Sequence, residues 1–228
     1  FYSALLPYLY KLVFLQSRSF MTEALNEHEQ MLRMRGRPKI LLARNYEEAK
    51  ELYDKYQKNL LGLVTDVRYP KDGELYARSG IELCEYIREK DKFLPIIIES
   101  SEEINKAEAD RLQAHFINKS NSLMHLELKE AVTHNFGFGD FNFIDPETNW
   151  VVAVVKNLKD LQQKIFEIPS ESLYHHLSKN HLSRWLYSRA MFPLAEFLRG
   201  LAVQSIEEVA EARKIIFDAI VYYRKVKN

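Results

Sequence analysis

Cysteine is almost missing from this chain, and its scarcity removes whole classes of architecture. Cys84 stands alone among 228 residues, so no internal disulfide framework and no cysteine-rich zinc site can form. With 7 glycines and 7 prolines, a collagen-like or low-complexity chain is excluded. An excess of one charge is missing too, since 32 Lys and Arg residues balance 32 Asp and Glu residues. No whole-chain field therefore draws the protein toward nucleic acid or an anionic membrane. Long apolar runs are also missing, for none approaches the roughly 18 residues that span a bilayer. The apolar opening FYSALLPYLYKLVFLQ lacks the basic leader and small-residue cleavage site of a signal peptide. These absences lead to the expectation of a reduced, cytoplasmic chain with no nucleic-acid or membrane partner. The missing initiator Met adds the expectation that the chain is cut from something longer.

What is present alternates between two periods. Residues 4–34 carry one long helical pattern, with Leu5, Leu9, Leu12, Phe20, Ala24, Leu25, Met31 and Met34 at steps of three and four. Gly36 and Pro38 in RGRP end it. KILLA (39–43) reads as a short strand, and NYEEAKELYDKYQ as a helix capped by Asn45 with acids in its first turn. LLGLVTD is a buried strand, SGIELCEYIREKD a helix capped by Ser79, and RYPKDGELYARSG between them a solvated loop. LPIIIESS, AEADRLQAH, FINKS and SLMHLELKEAVTHNFG continue as strand, helix, strand and helix. This alternation predicts an α/β fold with a parallel sheet. After residue 136 the pattern changes to two strands joined at 145–148, then helices at 157–167, 170–199 and 205–226. The expected domains are 1–135 and a mostly helical 136–228.

Three polar residues stand at the C-terminal ends of successive predicted strands: Asp66, Ser100 and Lys119. Parallel strands align those ends, so residues far apart in sequence meet at one edge. A carboxylate can attack phosphorus. A hydroxyl can hydrogen-bond a phosphoryl oxygen, and a lysine can neutralise it.

LVTDVRYPKDGE, LPIIIESSE and FINKS together resemble the receiver domain of bacterial two-component response regulators, over about residues 38–134. The resemblance implies a flavodoxin-like parallel-sheet receiver with a long first helix, followed by a small hairpin-plus-helices domain. It implies Asp66 as phosphoacceptor, Ser100 as switch hydroxyl, Phe116 as aromatic switch residue and Lys119 as the phosphate-pairing lysine. A Mg²⁺ ion would be held by Asp66 and the backbone carbonyl of Arg68, with an acidic pair from the family's first strand. KILLARNYEEA offers no such pair; it corresponds to the second strand and helix, which places the first strand upstream of Phe1. Ser120 stands where the family has proline.

Nearly the whole chain, through FGFGDFNFIDPET and IPSESLYHHLSKNHLSRWLYSRAMFPLAEFLR, also resembles the N-terminal region of bacterial phosphoenolpyruvate synthase-like (pyruvate–water dikinase-like) proteins. That resemblance implies a fused ATP-binding PEP/pyruvate-binding domain as output. It makes this chain a regulatory part rather than an enzyme, and its phosphodonor a kinase or a small phosphodonor. The alternative is a degenerate receiver that takes no phosphate and serves as a docking or dimerisation platform. A homodimer would cover the apolar N-terminal half of the first helix.

Plainer roles stand beside these. Asp66 can be a loop anchor, and Ser100 with Ser101 can cap the helix that starts near Ile104. His175, His176 and His181 do not share one helical face, which favours surface or interface histidines over a metal site. Trp185, Ala190 and Leu194 read as a core face, with Pro193 kinking a long helix.

Overall fold

The computed structural model of the chain describes residues 2–21, 31, 34–201 and 203–227. The chain divides into two compact units, one of residues 39–136 and the other of residues 1–38 with 137–228.

In the 39–136 unit, Asn45 is extended and its side chain accepts from the Glu48 amide at 2.8 Å, starting helix α2 (Tyr46–Tyr56). Strands β1 (Leu63–Asp66), β4 (Ile96–Ser100) and β5 (His115–Asn118) form a parallel sheet in that order. The central strand β4 is buried at every position, as its β-branched run requires. Helices α3 (Ser79–Lys90), α4 (Asn105–Arg111) and α5 (Met124–Asn135) connect and follow these strands. The core joins Ile81, Leu83, Cys84 and Ile87 of α3 to Ile96 and Ile98 of β4 and to Tyr53 of α2. Burial pushes the Cys84 thiol up to about 12, so it stays an inert apolar side chain.

Three local expectations need correction here. KILLA forms no strand: residues 39–43 are irregular, and Leu41 and Leu42 are exposed. A strand exists through its neighbours' hydrogen bonds, and among the described residues no strand pairs with this segment. The loop after Asp66 instead folds as a hairpin, β2 (Tyr69–Lys71) and β3 (Glu74–Tyr76). Its turn residues Asp72 (φ 53) and Gly73 (φ 82) take the left-handed conformations of an Asp-Gly turn. Ser79 does not cap α3; its hydroxyl donates to the Tyr69 carbonyl at 2.6 Å and so ties the hairpin to the helix.

The other unit contains helix α1 (Tyr2–Met21), whose Leu5 and Leu12 are buried while Tyr10, Phe14 and Leu15 are exposed. The remainder of the helical pattern expected over 4–34, at 22–30 and 32–33, lies outside the described residues. Strands β6 (Phe141–Ile144) and β7 (Val151–Val155) pair antiparallel as a hairpin. In its turn the Asp145 carboxylate accepts from the Glu147 and Thr148 amides, both at 2.9 Å. Helix α6 (Leu158–Lys164) follows.

The single helix expected over 170–199 is three: α7 (Ser170–Ser178), α8 (His181–Ser188) and α9 (Phe192–Arg199). The breaks fall at Asn180 (φ 57) and Ala190 (φ 56), where left-handed residues turn the chain. Pro193 therefore kinks nothing; it sits in the first turn of α9, where its missing N–H leaves no bond unmade. Helix α10 (Val209–Lys227) closes the chain. Among the described residues no helix is long and apolar enough to cross a membrane.

Candidate functional site

The sheet register aligns the strand ends. Asp66 of β1 lies opposite Glu99 of β4, Glu99 lies opposite Ile117 of β5, and Ser100 lies opposite Asn118. Neighbouring strands run about 4.8 Å apart, so residues 18 and 33 positions apart become lateral neighbours. The Lys119 backbone amide donates to the Ser100 carbonyl at 2.9 Å, extending the ladder one step beyond β5.

Asp66 and Lys119 meet. The Lys119 ammonium donates to Asp66 Oδ2, and both side chains are mostly shielded from water. Asp66 Oδ1 accepts from the Val67 amide at 2.7 Å, which aims the carboxylate outward from the strand tip. A small residue lets the next helix approach this tip: the Gly80 amide donates to the Val67 carbonyl at 3.0 Å.

Ser100 is buried at the same edge, but its hydroxyl is directed elsewhere. Its Oγ accepts from the Glu102 amide at 3.1 Å and from Asn105 Nδ2 at 2.9 Å, holding the turn into α4. Alternation explains this placement, because Ser100 is one residue beyond the Asp66-paired Glu99 and so points to the other face of the sheet. Phe116 is half-buried, packs on the sheet core, and borders a cleft of about 400 Å³ with Glu103, Lys106 and Asn118. Arg68 lies just beyond Asp66, its guanidinium 3.2 Å from Glu102 in an exposed pair that contributes little to stability.

One group at this edge escaped the sequence reading. Glu99 is only 2% exposed, and its Oε1 has no hydrogen-bond partner. Burial raises its carboxyl to about 7; the Asp66 charge adds to the rise and the Lys119 charge opposes it. The available signal was a lone acid inside the apolar run IIIES. A folded value above the unfolded one favours the fold while the carboxyl is protonated. That contribution is full below about pH 4.5 and is lost as pH rises through about 7. Over this interval the 39–136 unit should lose about 3 kcal/mol, at 1.36 kcal/mol per unit. Glu99→Gln should lack the loss, with matched stability at pH 4 and a more stable variant at pH 8. Denaturant titrations in chelator at both pH values check this, and parallel pH profiles would contradict it.

The described residues bring no set of three His, Cys, Asp or Glu side chains together in a geometry that could hold a metal ion. Of the two carboxyl groups at these strand tips, Asp66 is already paired with Lys119 and Glu99 is buried. These residues alone therefore do not make the Mg²⁺ site implied by the receiver resemblance. The three histidines do come together, against the expectation of separate faces, because Asn180 turns the chain between α7 and α8. His176 Nδ1 lies 3.0 Å from His181 Nδ1, and the His175 ring centroid is 5.1 Å from that of His176.

Trp185 and Leu194 are buried, as expected of a core face, and so are Arg184 and Arg189. Comparison with protein-family models, with curated proteins and with solved structures finds no match to this chain.

Proposed function

We propose that the 39–136 unit is a signal-receiving module of the flavodoxin-like receiver kind, which accepts a phosphoryl group on Asp66. The observation that carries this reading is the Lys119 ammonium seated on the Asp66 carboxylate across the tips of three parallel strands. A carboxylate oxygen of Asp66 attacks the phosphorus of a small donor such as acetyl phosphate. The acyl-oxygen–phosphorus bond breaks, acetate leaves with that electron pair, and a mixed anhydride forms on Asp66. Lys119 turns from the carboxylate to a phosphoryl oxygen, a short move for a flexible point cation. The added negative charge then pulls on the β5 end, where Phe116 borders the cleft. The output, on the sequence resemblance, is a phosphoenolpyruvate synthase-like catalytic region of the same protein, with this unit regulating rather than catalysing.

The test is incorporation of phosphate from radiolabelled acetyl phosphate, with and without Mg²⁺. Wild type should label, Asp66→Asn should not, and Lys119→Met should label at a rate lower by at least tenfold, since one charge-assisted contact is about 1.5–3 kcal/mol. Equal labelling of wild type and Asp66→Asn would remove Asp66 as the acceptor.

A second reading starts from the same Asp66–Lys119 contact. In it Asp66 and Lys119 form a structural ion pair, and the unit is a docking or dimerisation platform. No labelling of wild type under any condition, together with a loss of stability in Lys119→Met, selects this second reading.

A further inference from the structure

The hairpin β6–β7 is held on the helices by a hydrogen-bond relay that only neutral imidazoles can make. The Ile144 amide, at the end of β6, donates to His176 Nε2 at 3.1 Å. An accepting Nε2 bears no proton, so neutral His176 carries its proton on Nδ1. That Nδ1–H points at His181 Nδ1, 3.0 Å away, which must therefore accept. His181 is left with its own proton on Nε2. Both tautomers follow from one backbone amide, and the relay runs from β6 through α7 to α8.

The relay cannot take up a proton and survive. A proton on His176 Nε2 would face the Ile144 N–H donor to donor, and one on His181 Nδ1 would face the His176 Nδ1–H in the same way. His176 is enclosed and His181 is half-buried. His176 is 5% exposed and its ring centroid lies 5.0 and 5.2 Å from those of Phe141 and Phe143. The charges that act on the rings are positive: His175 and Lys179 from α7 and its end, and Arg184 from α8. β6 itself, Phe141–Ile144, has no ionisable residue. From α10, Arg213 is engaged with the carbonyls of Ile165 and Ile168 and with Ser170 Oγ. The Asp145 carboxylate beyond β6 is taken up by its own turn amides. Thus no carboxylate among these neighbours offsets an imidazolium. In keeping with this, burial and the positive neighbours hold His176 down at about 3 and His181 at about 2.

We propose that the His176–His181 pair is an acid-sensitive latch, closed at neutral pH, whose protonation releases the β6–β7 hairpin from α7 and α8. The sign follows from linkage. A base with a lowered folded value stabilises the closed state above its free value of about 6.5, and that contribution is lost as pH falls below it. Each imidazole that stays neutral only while closed raises the opening constant about eightfold between pH 7 and pH 5.5, and two raise it roughly 70-fold.

Amide hydrogen exchange by NMR, corrected for intrinsic pH dependence, reads this directly. Protection at the Ile144 amide should fall at least eightfold from pH 7 to pH 5.5, while the α9 amides of Ala195 to Leu198 keep theirs. His176→Gln keeps an acceptor for Ile144 and a donor for His181 without titrating near neutrality, so its Ile144 profile should flatten to at most an eightfold change. A pH-independent Ile144 amide in wild type would overturn the latch. So would an equal fall through α9, since that would be unfolding of the whole unit rather than hairpin release. The wild-type profile decides even if the variant does not fold.

Discussion

Arg189→Met should lower the stability of the unit holding residues 137–228 by about 3–4 kcal/mol, the range for removing a buried, multiply bonded charged group. The Arg189 side chain is 2% exposed, and three backbone carbonyls are among its partners. Nη1 donates to Gly137 O at 2.8 Å and to Trp185 O at 3.1 Å, and Nη2 to Gly139 O at 2.9 Å. The guanidinium also stacks on the Trp185 ring, its carbon 4.0 Å from the centroid. One side chain thereby binds the strand-entry segment 137–139 to the end of α8.

Loss of Arg189 is softened, because Ser188 Oγ still donates to Gly137 O at 2.6 Å and Trp185 Nε1 to Gly139 O at 3.0 Å. The Trp185 carbonyl loses one donor, and a methionine fills the space without satisfying it. Arg189→Lys should recover under half of the loss, since an ammonium cannot match a planar fork spread over three carbonyls. Both tryptophans, Trp150 and Trp185, lie in this unit, so urea unfolding followed by tryptophan fluorescence isolates it. A change below about 1 kcal/mol would show that the carbonyls find water instead.

Gly80→Ala should damage the Asp66 end of the sheet more than any single side-chain deletion around it. A Cβ on Gly80 would stand 1.9 Å from the Asp66 carbonyl oxygen and 2.9 Å from its carbonyl carbon. Both are backbone atoms of a strand paired to β4, so neither can swing aside as a side-chain tip would. The α3 start must back away, stretching the Gly80–Val67 hydrogen bond and uncovering the strand tip. Overpacking of this kind costs about 3 kcal/mol. On the proposed function it should also abolish phosphate incorporation by moving the backbone that aims the carboxylate. Gly73→Asn is the matched control: nothing lies within 4 Å of the added Cβ, and asparagine tolerates its φ of +82. That variant should stay within about 0.5 kcal/mol of wild type, as surface turn changes do. Far-UV circular dichroism with denaturant, and the labelling assay, compare the two. Equal stability of both variants would refute the close-approach account.

The two acid-linked groups bear opposite signs in the two units. Glu99 makes the 39–136 unit less stable as pH rises toward and through about 7, whereas His176 and His181 make the other unit less stable as pH falls below about 6.5. A single melting temperature for the whole chain would blend these trends, so each unit needs its own probe.

Much of this architecture was legible from residue order because its signals are local. Asn45 before two acids starts a helix by supplying an oxygen to an unpaired amide. The runs LVTD, IIIES and FIN separated by helical stripes require a parallel sheet, and a parallel sheet requires Asp66 and Lys119 to end at one edge. The Asp-Gly pair at 72–73 was a local signal as well, and it marked a hairpin where a plain loop was expected.

Other features depended on what each residue meets across the fold, which spacing cannot supply. KILLA has the composition of a strand, but strand formation is a property of a pair, and no described strand lies beside it. The break at Asn180 carries no glycine or proline warning, yet the left-handed residue there turns the chain and brings His176 to His181. Ser100 stands at the right position in the sequence, but the pleat sends its hydroxyl to α4. Glu99 and Arg189 look like ordinary surface charges in a string of letters. Burial beside Asp66 gives one a carboxyl that titrates near 7, and backbone carbonyls help hold the other as a buried cation. Pattern sets which elements form, because it acts within a few residues. Burial and pairing set what those elements hold, because the dielectric and the partner come from elsewhere in the chain.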